Sequence, residues 1–265
     1  MVHTHLSRIA TIALLTLSLA FPAHAFPWVL VKQSPSLLAT FLKHQKALPD
    51  EEIIKLSNIA KQSGGTKIVG KELGKLNLPK NTLEDTYMRI VVHQATLSRK
   101  EAEGMFSRLR GTAGFRSTLS KIIGASNIKT SGHLYELRIA DKAAQHGFKV
   151  KGIGVRFDDG IKQGITDVDV LLKIKGRPIA IEAKDYLPTT PIPLIQFRSD
   201  FISLAQYAKQ QLPSKVIPVF SMSNKPNDAI SLRVLEKEAQ KNGVQLIFGN
   251  PEQQIIQIKQ LQEIL

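Results

Sequence analysis

The sequence predicts an α/β protein with a mixed central sheet, preceded by an α-helical region and an export segment. Three observations carry this expectation. Residues 149–184 read as three consecutive strands, residues 194–248 alternate helix and strand, and residues 48–110 show helical periodicity. A length of 265 residues with 43% apolar and 22% charged composition suits a chain with a substantial core. Cysteine is absent and the formal net charge is +14.

The chain opens with Arg8, an apolar run from Ile9 to Ala20, and then Phe21-Pro22-Ala23-His24-Ala25. A short apolar core before an A-x-A site reads as a secretory signal peptide cut after Ala25, with an uncleaved anchor as the other reading. The run is too short for a comfortable membrane span. The mature chain is therefore expected to be soluble, periplasmic or extracellular, without stable membrane association. Removing residues 1–25 takes away one counted charge, Arg8, and leaves +13. Such a surplus attracts polyanions, nucleic acid among them. With one tryptophan, Trp28, and few Phe and Tyr, phosphate contact rather than base stacking is expected to dominate.

Residues 26–130 are expected to form the helical region. Pro49-Asp50-Glu51-Glu52 starts one helix, with Ile53, Leu56, Ile59 and Ala60 at helical spacing. Asn81-Thr82-Leu83-Glu84-Asp85 starts a second, and Ser98-Arg99-Lys100-Glu101 fits a capping box that opens a third. Arg99, Lys100, Arg108, Arg110, Arg116 and Lys121 form either a positive surface or an ordinary solvated face. The Gly-, Ser- and Thr-rich stretch from Gly111 to Lys129 is the expected domain boundary, with residues 131–265 as the second domain.

That second domain begins with a helix from Leu134 to His146, stopped by Gly147. Leu134, Leu137, Ala140, Ala144 and Phe148 line one stripe, and Glu136 lies beside it. Glu136 is either a site residue or a first-turn glutamate favoured by the helix dipole. His133 reads as a cap or surface residue.

Strands are expected over Lys149–Phe157, Ile165–Ile174 and Ile179–Lys184, with turns at Asp158-Asp159-Gly160 and Lys175–Pro178. Side chains alternate across a strand. Val168, Val170, Leu172 and Ile174 should thus share an apolar face, with Asp167 and Asp169 opposite. In the third strand Ile179, Ile181 and Ala183 oppose Glu182 and Lys184. A hairpin through Lys175–Pro178 brings the acidic faces together beside an amine. Converging carboxylates repel unless a cation sits between them, and a hard divalent ion accepts such oxygen ligands. An exposed salt-bridged hairpin would show the same residues.

Asp169 followed thirteen residues later by Glu182-Ala183-Lys184 resembles the signature of the PD-(D/E)XK nuclease superfamily. The element order from about Gly132 to Phe248 resembles it as well: a helix bearing an acid, three strands, a helix and a further strand. The resemblance implies a restriction-endonuclease-like αβββαβ core. It implies Mg²⁺ (or Mn²⁺) on Asp169, Glu182 and the Ala183 carbonyl, with Glu136 assisting through water. Lys184 would orient or deprotonate the attacking water and stabilise the phosphorane. The motif reads Asp167-Val168-Asp169 without the proline, so either aspartate fits the ligand position. Spacing favours Asp169 and leaves Asp167 auxiliary. Family members place polar residues at the start of the next helix against the phosphate, a position matched by Gln196 and Arg198.

After Lys184 a proline-rich loop, 185–193, precedes a helix from Leu194 to about Gln211. A strand over Lys215–Met222 follows, with Pro218 suggesting an edge or irregular section. A helix to Asn242, a strand over Val244–Phe248 and an amphipathic tail from Pro251 complete the chain.

The expected activity is secreted, metal-dependent hydrolysis of DNA or RNA. The layout resembles that of bacterial nuclease toxins, which implies a toxin or effector role and an immunity or inhibitor protein as partner. A non-catalytic polyanion-binding protein on a degenerate nuclease scaffold is the alternative. A sugar or lipid hydrolase lacks support, since no G-x-S-x-G elbow or H-E-x-x-H motif occurs.

Overall fold

A computed structural model of the chain describes residues 50–61, 73, 80–94, 97–123, 127–160, 166–211 and 214–264. The export segment with its Ala25 site, and Trp28, lie outside the described residues. Helices α1 (Asp50–Lys61), α2 (Lys80–His93), α3 (Arg99–Leu109), α4 (Phe115–Ile122) and α5 (Asn127–Gln145) come first. Strands β1 (Lys149–Phe157), β2 (Thr166–Ile174) and β3 (Arg177–Lys184) follow. Then come α6 (Leu194–Gln210), β4 (Ile217–Met222), α7 (Ala229–Asn242), β5 (Gln245–Phe248) and α8 (Pro251–Ile264). Among the described residues no helix is long and apolar enough to cross a membrane.

The five strands form one mixed sheet in sequence order. β1, β2 and β3 pair antiparallel, whereas β3, β4 and β5 pair parallel. The antiparallel half follows from short connections. Lys175 and Gly176 both take positive φ, at 44° and 88°, as a two-residue hairpin whose twist matches the strands requires. The parallel half needs crossovers, which α6 and α7 provide. From α5 to β4 this is the αβββαβ order of the restriction-endonuclease-like core expected from the sequence.

Two apolar clusters sandwich the sheet. In the first, Leu137, Ile139 and Ala140 of α5 and Ile255 and Ile258 of α8 pack against Ile179, Ile181, Ala183 and Val219. In the second, Phe197, Phe201 and Leu204 of α6 and Leu235 and Ala239 of α7 pack against Ala180, Phe220 and Met222. β3 thus alternates as its sequence predicts. β2 does not: Val170, Leu172 and Ile174 belong to the first cluster, but Val168 belongs to the second. The strand changes sides near Asp169, next to Gly154 of β1, whose φ of 59° only glycine adopts readily.

Other expectations are corrected. The stretch from Gly111 to Lys129 is no linker, for it carries α4, whose Phe115, Leu119 and Ile122 are buried. α5 starts at Asn127, so the expected division at residue 130 falls inside it, and Ile53, Leu83, Met105 and Leu119 share the first cluster with the sheet. α5 begins at Asn127 rather than Leu134, for the mostly polar residues 127–133 ahead of the stripe continue the helix. Pro218 lies in a strand flanked on both sides, but the β4–β5 ladder starts at Val219, so its missing N–H faces no partner strand. The Ser98 hydroxyl accepts from Glu101 N at 3.2 Å, yet the Glu101 carboxylate accepts from Arg138 Nε at 2.8 Å instead of closing the box.

Gly114 fixes α4 to the edge of β1. It sits at φ 83°, and a Cβ placed there would lie 1.7 Å from the Ile153 carbonyl oxygen. Ile153 N also donates to Ala113 O at 2.9 Å, so the two backbones are already joined. Gly114→Ala is expected to cost roughly 2–4 kcal/mol, from backbone strain plus overpacking. A urea midpoint unchanged from wild type would show that this contact does not form.

The six basic positions of the helical region are divided. Arg108 holds buried Asp141 through two bonds, at 2.6 and 3.0 Å, joining α3 to α5. Arg99 pairs with Glu103 at 3.0 Å and Lys121 with Asp167 at 3.5 Å. Lys100, Arg110 and Arg116 are exposed. They do not form one uniform positive face, because three of the six already serve carboxylates of the chain.

Candidate active site

The β2–β3 ladder ends at Val170 opposite Ile181. One residue beyond it the strands part, and the Asp169 side chain enters the opening. Its Oδ2 accepts from the Ala183 backbone N–H at 2.7 Å, in place of a strand carbonyl. Glu182 and Lys184 flank Ala183 on the face that α6 covers. Lys184 Nζ donates to Glu182 Oε1 at 2.6 Å and meets Asp200 Oδ2 of α6 at 2.9 Å. The Phe197 and Phe220 rings lie 5.6 and 5.9 Å from the same ammonium, within cation–π range.

From the other layer, α5 brings Glu136 to this end of the sheet. Glu136 is 7% exposed, and its Oε1 meets His133 Nδ1 at 2.8 Å, one helical turn away. Because α5 begins at Asn127, His133 lies well inside the helix; it is no cap but the partner of Glu136. Nearby, Ser131 Oγ donates to the Asp185 carboxylate, tying α5 to the loop after β3. A buried amide, Gln254 of α8, braces the same end. It donates to Tyr135 Oη and to the carbonyls of Met222 and Gly249 (both 2.9 Å), and accepts from Ser221 Oγ at 2.6 Å.

The electrostatics reflect crowding of acids in a dry setting. Burial, then repulsion from Glu182 and Glu136, raises the Asp169 carboxyl well above the usual carboxylate range, against the pull of Lys184 and the Ala183 N–H. Burial pushes Glu182 up to about 7 although the Lys184 ammonium opposes it. Burial alone would lower Lys184, but the Glu182, Asp200 and Asp169 carboxylates outweigh it and raise the ammonium above its ordinary value.

The expected residues separate into those brought together and those not. Asp169, Glu182, Lys184 and Glu136 converge. Asp167 stays half-buried at the margin, paired with Lys121, and acts on Glu182 only through its charge. Gln196 is exposed, and Arg198 reaches Glu238 of α7 at 3.0 Å. Both stand away from the cluster because they flank Phe197, the residue of that turn buried against the sheet. Asp200, absent from the expectation, occupies the place they were given. Its signal was legible: a carboxylate interrupting the apolar stripe Phe197, Phe201, Leu204 of α6.

Among the described residues no three His, Asp or Glu side chains form a metal cluster by themselves. A hard divalent ion needs only one or two carboxylates and completes its shell with water and phosphate. Asp169 and Glu182 offer two carboxylates of the kind such an ion takes, on neighbouring strands. The donor set therefore fits such an ion.

No protein-family model and no curated protein matches the chain. Among solved structures, the chain is similar to Can2 from Sulfobacillus thermosulfidooxidans, determined in complex with cyclic tetra-adenylate. The identity is 14% and the TM-score 0.36, over 69% of this chain and 57% of Can2. The chain thus spans little more than half of that protein, and the likeness is one of coarse α/β architecture.

Proposed function

We propose that this chain is an exported, metal-dependent nuclease of the PD-(D/E)XK type that hydrolyses phosphodiester bonds of DNA or RNA. One observation carries the reading: Asp169, Glu182 and Lys184 gather, partly buried, where the β2–β3 ladder opens. Asp169 and Glu182 would hold Mg²⁺ or Mn²⁺, with the Ala183 carbonyl as a further oxygen and Glu136 acting through water. The ion, when bound, supplies a water of lowered pKa and neutralises charge on the phosphoryl oxygens. The chain's own residues do the rest. Lys184, paired with Glu182 and Asp200, would orient the attacking water or take its proton, and would stabilise the developing negative charge. Glu136, steadied by His133, sets the local negative potential from the opposite layer. The surplus of positive charge draws the polyanion in. The apolar run before Ala25 supports export, and a toxin or effector role with an immunity or inhibitor protein as partner belongs to the same proposal.

The purified mature chain, incubated with plasmid, linear DNA and total RNA, is expected to degrade at least one of them with Mg²⁺ and none with EDTA. Salt-sensitive binding without cleavage at any metal concentration would make it a polyanion-binding protein instead.

A further inference from the structure

The Lys184 ammonium and a divalent cation want the same carboxylate. Lys184 Nζ lies 2.6 Å from Glu182 Oε1, and Glu182 is one of the two acids that would hold the ion. Two cations on one carboxylate repel each other, and a second counter-charge for the ammonium relieves that repulsion. Asp200 projects from α6 to within 2.9 Å of the same ammonium, and it is itself 8% exposed. Phe197, one turn earlier on α6, and Phe220 of β4 lie beside the ammonium, which stands between the two carboxylates.

Asp200 interrupts the buried apolar stripe Phe197, Phe201, Leu204 of α6. A carboxylate at such a site is costly unless paired. Lys184 is a partner of Asp200, and it would keep Glu182 as a counter-charge without it.

We propose that Asp200 is a positioning residue that receives the Lys184 ammonium when a divalent cation takes Glu182, so that ammonium and cation occupy the site together instead of competing. This rests on the nuclease reading above and adds a two-position lysine to it. In the cation-free chain the ammonium neutralises Glu182 and Asp200 together. With Glu182 occupied, it remains on Asp200, beside the place where negative charge develops on the phosphate.

The test is Mg²⁺ binding to the mature chain by titration calorimetry, with the Mg²⁺-induced rise in melting temperature as a second readout. Asp200→Asn is expected to weaken Mg²⁺ binding roughly tenfold, because the ammonium then stays on Glu182. In a Lys184→Met background the same substitution is expected to change Mg²⁺ affinity little, since no ammonium remains to be held. Asp200→Glu is expected to recover most of the affinity, and it serves as the second variant if Asp200→Asn folds poorly. Wild-type affinity in Asp200→Asn would overturn the proposal, with the nuclease reading intact. So would a loss equally large in both backgrounds, which would make Asp200 a direct ligand. Absence of Mg²⁺ binding by the wild-type chain would remove both readings.

Discussion

Asp169→Asn is expected to lower Mg²⁺-dependent cleavage by roughly a thousandfold or more, while the cation-free protein becomes more stable. The loss follows from removing one of two carboxylates that would hold the ion, whose charge stabilisation amounts to several kcal/mol. The gain follows from repulsion. Asp169 stands partly buried near Glu182 and Glu136, and its carboxyl is raised well above the usual range by burial and by their charges. Asparagine keeps an acceptor for the Ala183 N–H and removes the charge. A rise in melting temperature of about 2–4 °C corresponds to about 1 kcal/mol in a chain of this size. Glu182 predicts the matching pH dependence. Its folded-state pKa is about 7 against 4.5 for the free side chain, so the folded chain binds more protons between these values. Stability without a divalent ion should therefore fall as pH rises from about 4.5 to 7. Added Mg²⁺ should reduce that fall. A melting temperature that stays flat over this range, or drops in Asp169→Asn, would contradict the repulsive arrangement.

Lys184→Met is expected to abolish cleavage and, unlike Asp169→Asn, to destabilise the protein. Methionine fills a similar volume between Phe197 and Phe220, so packing is not the main loss. The loss is electrostatic, since Glu182 and Asp200 are left facing each other with no cation between them. Removing one partner of a buried ion pair typically costs about 3–5 kcal/mol. The double variant Lys184→Met/Asp200→Asn should recover part of that stability without recovering activity. Urea denaturation of the three proteins separates the cases; a Lys184→Met midpoint equal to wild type would place the ammonium in water.

The strands were legible because period-two alternation and turn residues agree over residues 149–184. β1 runs over the expected residues, and β2 and β3 differ from expectation by one or two residues at their starts. The hairpin at Lys175-Gly176 follows from local chemistry alone. The change of face at Asp169 does not, because it depends on the positive φ of Gly154 in the neighbouring strand. The Gly111–Lys129 stretch reads as a domain boundary by composition, yet residues 115–122 within it form α4, whose backbone start is joined to β1. On α6, polarity near the helix start drew attention to Gln196 and Arg198, although helical rotation turns both outward. Asp200 stands one residue before Phe201 and three after Phe197, so it points inward with them. A charge in phase with an apolar stripe was the better signal. His133 and Glu136 were seen singly, and their i,i+3 spacing would have joined them once the helix began early enough.

The candidate site draws on both layers of the sandwich: Glu136 comes from the helix on one side of the sheet, Asp200 from the helix on the other. Neither layer, nor the hairpin between them, holds the whole constellation. On the nuclease reading proposed above, a chain with either layer undocked lacks part of the site.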